Sequence, residues 1–432
     1  MRHGIVILLT IIVPFASARG EDWPTFLGPT QNGVSPEKGL RVPWPKTGLK
    51  KVWECELGLG YAAPVVSNGR LFHADRFGDH IRLTAREAAT GRFLWKYEYP
   101  TQYEDRYGYD PGPRACPMVD GDRVYIHGPD GVLCCVNANN GQEIWRVDTH
   151  AKFFVHQNFF GAGSVPVIDG DLLILPVGGS EKGPRPIDFR NVQSNGTAIV
   201  AFDKKTGAVK YAAGDELASY ASPIIATING KKLGLYFARG GLLGFDPQTG
   251  TTAFHYKWRA KIEESVNASN PVVVGNTVLV TECYGPGAAY IDLSRGKPQE
   301  IWTDAAKDRF DKSLMCHWNT PIHVDGFVYG SSGRHTEDAD IRCVELKTGE
   351  VRWRQRRTKR CSLTLIDGHF LSLSEYGELA LIKVNPEKYE EISKYEVPGL
   401  EYPCWAAPVV SNGLLYVRGD GKLLALELIP KK

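Results

Sequence analysis

Apolar runs of a few residues, broken at short intervals by Gly, Asn and Asp, fill the chain, and helical periodicity is nearly absent. Such a pattern reads as many short strands joined by tight turns. The punctuation also repeats. Ala62-Ala63-Pro64-Val65-Val66-Ser67-Asn68-Gly69 returns identically at Ala406 to Gly413, 344 residues on. Between them lie Pro117 to Asp120-Gly121, Pro166 to Asp169-Gly170, Pro223 to Asn229-Gly230, Pro271 to Gly275-Asn276 and Pro321 to Asp325-Gly326, and Asp367-Gly368 marks one more copy without the Pro. Asn-Gly and Asp-Gly pairs between apolar runs signal hairpins, because both turn residues take positive φ. Eight turns spaced by about 49 residues define a repeat architecture.

A second signature follows each hairpin: an acidic or amide residue, a Gly four positions on, then usually an aromatic. It reads Glu87-Gly91-Trp95, Asn137-Gly141-Trp145, Asp203-Gly207-Tyr211, Asp246-Gly250-Phe254, Asp292-Gly296-Trp302 and Glu345-Gly349-Trp353. The side-chain oxygen can accept backbone N–H bonds within the turn, and the ring is placed to pack between neighbouring units. Each unit is thus four short strands, and eight such units predict an all-β, eight-bladed β-propeller of four-stranded antiparallel blades. The eighth unit stops at Leu428 after three strands. Lys51 to Leu57, which carries Trp53, is expected to supply the missing fourth and close the ring, removing its free edges.

With these residues in view, a resemblance emerges. Ala201-Phe202-Asp203 with Thr206-Gly207, and Thr348-Gly349 with Trp353, resemble the tryptophan-docking repeat of quinoprotein-type propellers, the pyrroloquinoline quinone (PQQ)-like family. Trp23-Pro24-Thr25-Phe26-Leu27-Gly28-Pro29 is similar to the opening of secreted bacterial members. The resemblance covers residues 22–428 and implies fold more than activity: the family holds PQQ-dependent alcohol dehydrogenases and the non-enzymatic propeller of outer-membrane-protein assembly.

Composition narrows the picture. The 432 residues are 43% apolar and 23% charged, enough for a large core, and 51 Lys and Arg against 49 Asp and Glu leave a formal charge of +2. No global field favours nucleic acid. Arg2 and His3, the apolar stretch Ile5 to Phe15 and Ala16-Ser17-Ala18 read as a secretory signal over residues 1–18, followed by an N-terminal lead-in at 19–50 and one propeller domain at 51–432. The expectation is an exported monomer of periplasm or extracellular space with no transmembrane segment. Nine cysteines, an odd number, do not make a disulfide scaffold.

Connection lengths indicate the working face. Extra residues fall in 97–114, 148–162, 177–196, 303–319 and 331–340, all at positions that emerge on one face of a propeller. Residues just before each innermost strand should ring the axis there: Tyr61, Arg114, Phe160, Tyr220, Asn267, His317, Arg360 and Trp405, with Asn319 beside them. They form a candidate funnel for a small or extended ligand or for an envelope protein. Trp53, Glu87, Trp95, Asn137, Trp145, Asp203, Asp246, Asp292, Trp302, Glu345 and Trp353 are assigned to turns and docking.

Catalytic chemistry is harder to place. The resemblance implies PQQ, Ca²⁺, a catalytic Asp and a disulfide between adjacent cysteines. Arg114 and Arg360 could serve cofactor carboxylates, and Asn267 or Asn319 a metal, yet no carboxylate stands in the ring itself, and Glu263 and Glu264 cap a solvated connection. Cys134-Cys135 read as structural thiols, because Cys135 fills a slot held elsewhere by Ala85, Ala201, Gly244, Cys343 and Ala425, and adjacent strand residues point to opposite faces. His335, Glu337, Asp338 and Asp340 form a charged loop, and Arg352, Arg354 and Arg356 one face of an outer strand. No metal site and no cofactor are expected. The leading reading is a non-catalytic binding or scaffold module of the cell envelope. The alternatives are a PQQ- and Ca²⁺-dependent alcohol or sugar dehydrogenase, and carbohydrate or cell-wall binding through Tyr61, Tyr220 and Trp405.

Overall fold

In the computed structural model, which describes residues 21–156, 159–181, 191–263 and 265–430, eight sheets form a ring. The predicted signal at 1–18 and Glu264 lie outside the described residues. Blades 1 to 7 span residues 65–100, 118–148, 167–213, 224–257, 272–303, 322–356 and 361–396, each with its strands hydrogen-bonded in chain order. Blade 8 takes three strands from 409–427 and its fourth from Lys51–Glu56, which pairs antiparallel with Lys422–Glu427. The velcro closure is as the repeat count predicted. Among the described residues the helical elements include Thr149–Phe153 and a 3₁₀ turn at Thr336–Asp338.

One lateral row of side chains explains why this sequence makes this blade. The second, third and fourth strands place a large, a small and a large residue side by side. Phe72–Ala85–Trp95, Tyr125–Cys135–Trp145, Tyr329–Cys343–Trp353 and Tyr416–Ala425–Trp53 are in register. The two rings meet over the small residue at centroid distances of 5.8 to 6.0 Å. A bulky third-strand residue would separate them; blade 5 instead aligns Leu279, Tyr290 and Trp302, moving one ring from the second strand to the third.

The fourth-strand ring then reaches the next blade. Trp53 Nε1 donates to Ala88 O at 2.9 Å, Trp95 Nε1 to Ala138 O at 3.2 Å, Trp302 Nε1 to Leu346 O at 2.8 Å and Trp353 Nε1 to Asn385 O at 2.9 Å. Each of the first three indoles packs against a turn glycine so closely that a Cβ on Gly91, Gly141 or Gly349 would come within 2.6 to 2.7 Å of the ring. The turn itself is fixed as expected at Asn137, Asp203, Asp246 and Asp292, whose oxygens accept backbone N–H bonds. Glu87 and Glu345 differ: one methylene longer, they take the Thr90 and Thr348 hydroxyls instead.

The lead-in segment crosses the axis. Trp23 bridges the innermost strand of blade 1 through Val66, Pro24 O accepts from Val119 N of blade 2 at 2.8 Å, and Val34–Ser35 runs parallel to Leu365–Ile366 of blade 7. Its polar residues clasp hairpin turns: Asp22 accepts from Asn68 N, Glu37 from Asn412 N and Gly413 N, and Gly39 and Leu40 donate to Asp367. These turns belong to the compact face, so residues 21–40 plug that end of the axial channel.

Candidate functional site

The plug leaves a blind cavity of about 530 Å³ that opens at the long-connection face, with Phe26 and Leu27 among its lining residues. Eight of the nine predicted funnel residues line it: Tyr61, Arg114, Phe160, Tyr220, His317, Asn319, Arg360 and Trp405. Each lies in the connection that leads into an innermost strand, which brings it to the axis. Asn267 does not join them. It is fully buried, and its amide nitrogen donates to Ala238 O at 2.7 Å and Trp258 O at 3.2 Å, while Val266 and Ala268 face the cavity instead. The ring position was right to within one residue, and strand alternation turned the side chain the other way.

Two arginines organise the walls, and both are neutralised. Arg360 donates to the fully buried Glu375 through Nη2–Oε2 at 2.5 Å and Nε–Oε1 at 3.1 Å. Thr336 Oγ1 and Trp405 Nε1 donate to the same carboxylate. Burial alone would raise the Glu375 pKa, but these donors and the guanidinium charge hold it below the ordinary value, so it remains ionised. The Arg360 guanidinium lies 4.7 Å from the Trp318 ring centroid and 5.8 Å from Trp405. Across the cavity Arg114 repeats the scheme, paired with Asp105 at 2.9 Å and lying 5.3 Å from Tyr61 and 5.4 Å from Phe160. Each guanidinium thereby binds its wall of rings by cation–π attraction without leaving net charge.

The remaining wall holds His317, Tyr284 and Arg334. Burial, together with the Arg360 and Arg334 charges, pushes the His317 pKa down to about 3, so the ring is neutral at physiological pH. Its Nε2 sits 3.0 Å from Tyr284 Oη and its Nδ1 3.5 Å from Arg360 Nη1. Arg334 stacks on Tyr284 at 4.5 Å. Sequence reasoning missed Tyr284, Arg334, Asp105 and Glu375. Tyr284, Arg334 and Glu375 sit between second and third strands, in connections whose length varies from blade to blade, so no repeat position marked them.

Other sequence candidates fall outside the cavity. Cys134 and Cys135 lie in the third strand of blade 2 on opposite faces, one 3.4 Å from Tyr97 Oη and the other beneath Trp145. All nine cysteines are free thiols. Asp338 is bonded by Arg309, and Asp340 pairs with Arg342 at 2.5 Å, so both aspartates of the charged loop are taken by arginines from elsewhere in the blade ring. Arg352, Arg354 and Arg356 lie on the outermost strand of blade 6, as expected of an edge.

A closed propeller with a polar-aromatic blind cavity on its axis is a ligand-site architecture. The chain belongs to the family described as outer membrane protein assembly factor BamB, PQQ_2, whose model matches residues 45–183 and 187–355. It is 29% identical over 164 residues to a quinohemoprotein alcohol dehydrogenase, ADH-IIG, of Pseudomonas putida, covering 37% of this chain and 20% of that protein. A quinone alcohol dehydrogenase subunit of Gluconobacter oxydans is 28% identical over 166 residues, with the same coverage. The match therefore spans about a fifth of the length of these curated relatives. Among solved structures, BamB from Moraxella catarrhalis superposes with a TM-score of 0.59 at 17% identity, covering 89% of this chain and 99% of that one. Quinohemoprotein alcohol dehydrogenase from Comamonas testosteroni gives 0.53 at 14% identity, over 95% and 81%.

The residues present do not fit PQQ and Ca²⁺. PQQ carries three carboxylates, and Arg114 and Arg360 are committed to Asp105 and Glu375, which leaves Arg334 as the one arginine of the described lining without a carboxylate partner. Among the described residues no group of three or more His, Cys, Asp or Glu could hold a metal. The Asn319 amide nitrogen donates to Ser331 O, both Glu375 oxygens face Arg360, and neither Cys134 nor Cys135 lines the cavity.

Proposed function

We propose that this BamB-family propeller is an exported, monomeric envelope protein that holds a small ligand in its axial cavity and carries out no redox chemistry. The blind cavity carries the reading. It is concave, of a size typical for small-molecule sites, walled by rings and rigidly built on the starts of the innermost strands. Long connections surround its mouth, and exposed Tyr107, Tyr109, Tyr376 and Tyr402 rim that face, the natural docking side for an envelope partner. Among the described residues no helix is long and apolar enough to cross a membrane.

The dehydrogenase reading rests on local similarity to relatives that this chain covers by a fifth. It is tested by incubating the protein with PQQ and Ca²⁺, removing excess cofactor and assaying dye reduction with a panel of alcohols and sugars. The expected result is neither retained PQQ absorbance nor turnover. Cofactor-dependent turnover would overturn the binding reading.

A further inference from the structure

The charges lining the cavity do not sum to zero. Arg114 and Arg360 are each cancelled by a buried carboxylate, and no Asp or Glu lines the wall. Arg334 also lines it, and among the described residues it has no carboxylate partner; its guanidinium lies over the face of Tyr284. Among the described residues the cavity wall thus carries one positive charge without a carboxylate partner, placed to make a charge-assisted hydrogen bond to a single anion.

A second donor sits beside it. A guanidinium only donates, so the His317 Nδ1 that faces Arg360 is assigned the lone pair, and the ring proton sits on Nε2. That proton is donated to Tyr284 Oη, 3.0 Å away. The Tyr284 hydroxyl, having accepted, keeps its own proton for an outside acceptor, and Tyr284 lines the cavity. Burial holds this phenol protonated.

The rest of the wall is selective by what it lacks. No carboxylate lines the cavity among the described residues to read sugar hydroxyls, and the Asn319 amide nitrogen is committed to Ser331 O. Ring surface dominates the wall. Tyr61 and Trp405 meet at 4.6 Å, and Trp318 and Trp405 at 5.3 Å. Extended aromatic faces with no carboxylate beside them among the described lining residues favour a flat aromatic ligand over a sugar. One free cation disfavours a tricarboxylate.

Building on the cavity reading, we infer that the ligand is a small aryl monoanion, an aromatic ring system bearing one carboxylate or sulfonate, with its anionic group met by Arg334 and Tyr284. The test titrates the full chain with biphenyl-4-carboxylate, biphenyl-4-carboxamide, glucuronate and PQQ, read by calorimetry and by fluorescence of Trp318 and Trp405. The carboxylate should bind one to one, at least about tenfold more tightly than any other probe. Arg334→Gln should weaken it roughly 10- to 100-fold, the range for losing a charge-assisted hydrogen bond, while leaving amide binding unchanged. Tyr284→Phe should weaken it less. Ala407→Trp, which fills the cavity, should abolish it. Equal affinity for acid and amide, tighter glucuronate or PQQ, indifference to Arg334→Gln, or no binding by any probe overturns the aryl-anion assignment. Binding that survives Ala407→Trp overturns the cavity reading itself.

Discussion

Glu375 shows how much of the site depends on single side chains behind its surface. Its carboxylate, fully buried, anchors the guanidinium that supports Trp318 and Trp405 and that sets the His317 tautomer. Removing one member of such a pair strands the other charge in a place where water cannot reach it fully. Glu375→Ala is therefore expected to cost about 3 kcal/mol in urea unfolding, whereas Arg360→Ala combined with Glu375→Ala should cost clearly less than the two single changes summed. Strict additivity would show that the pair contributes nothing jointly. The cavity's polarity is set by such hidden partners, and the sequence pattern could not reveal them. Glu375 lies in Ser374-Glu375-Tyr376-Gly377, a connection whose length and sequence change from blade to blade.

At the scale of elements, the docking of a fourth-strand ring on the next blade's turn glycine joins the ring together. The junction between blades 8 and 1 closes the circle, and there Trp53 occupies the space beside Gly91. Gly91 and Gly69 have the same φ of 74°, but a Cβ at Gly91 would meet Trp53 Cδ2 at 2.7 Å, while at Gly69 it meets nothing within 4 Å. Gly69→Ala thus isolates backbone strain, about 1 kcal/mol, and Gly91→Ala adds overpacking of roughly 1–3 kcal/mol. Denaturant midpoints for the two variants measure that difference; equal losses would mean that the ring yields freely and docking does not hold the closure. This was the most legible part of the molecule. Asn-Gly and Asp-Gly turns, the acid-to-glycine spacing and the alternating Trp positions follow local rules, which survive in sequence. The small third-strand slot was legible too, because Cys135, Ala85 and Cys343 answer the same steric demand.

For the whole molecule, eight blades fix an axis, the lead-in segment closes one end, and the irregular connections shape the other. The ring of residues before the innermost strands was readable because the repeat dictates it, with Asn267 lost to a one-residue turn of strand alternation. The role of Trp23 to Gly33 as a plug was not readable: it rests on contacts with blades 1, 2 and 7 that no periodicity announces. The account's central claim is that the axial cavity is the working surface. Its most direct test is ¹⁹F NMR of protein carrying 5-fluorotryptophan, titrated with a small-molecule extract of bacterial envelopes. Ten tryptophans report, of which Trp318 and Trp405 line the cavity and Trp53, Trp95, Trp145, Trp302 and Trp353 lie in the blade junctions. The account predicts saturable shifts at Trp318 and Trp405 with the junction signals unmoved. Shifts confined to the junction tryptophans, with the cavity pair silent, would contradict it.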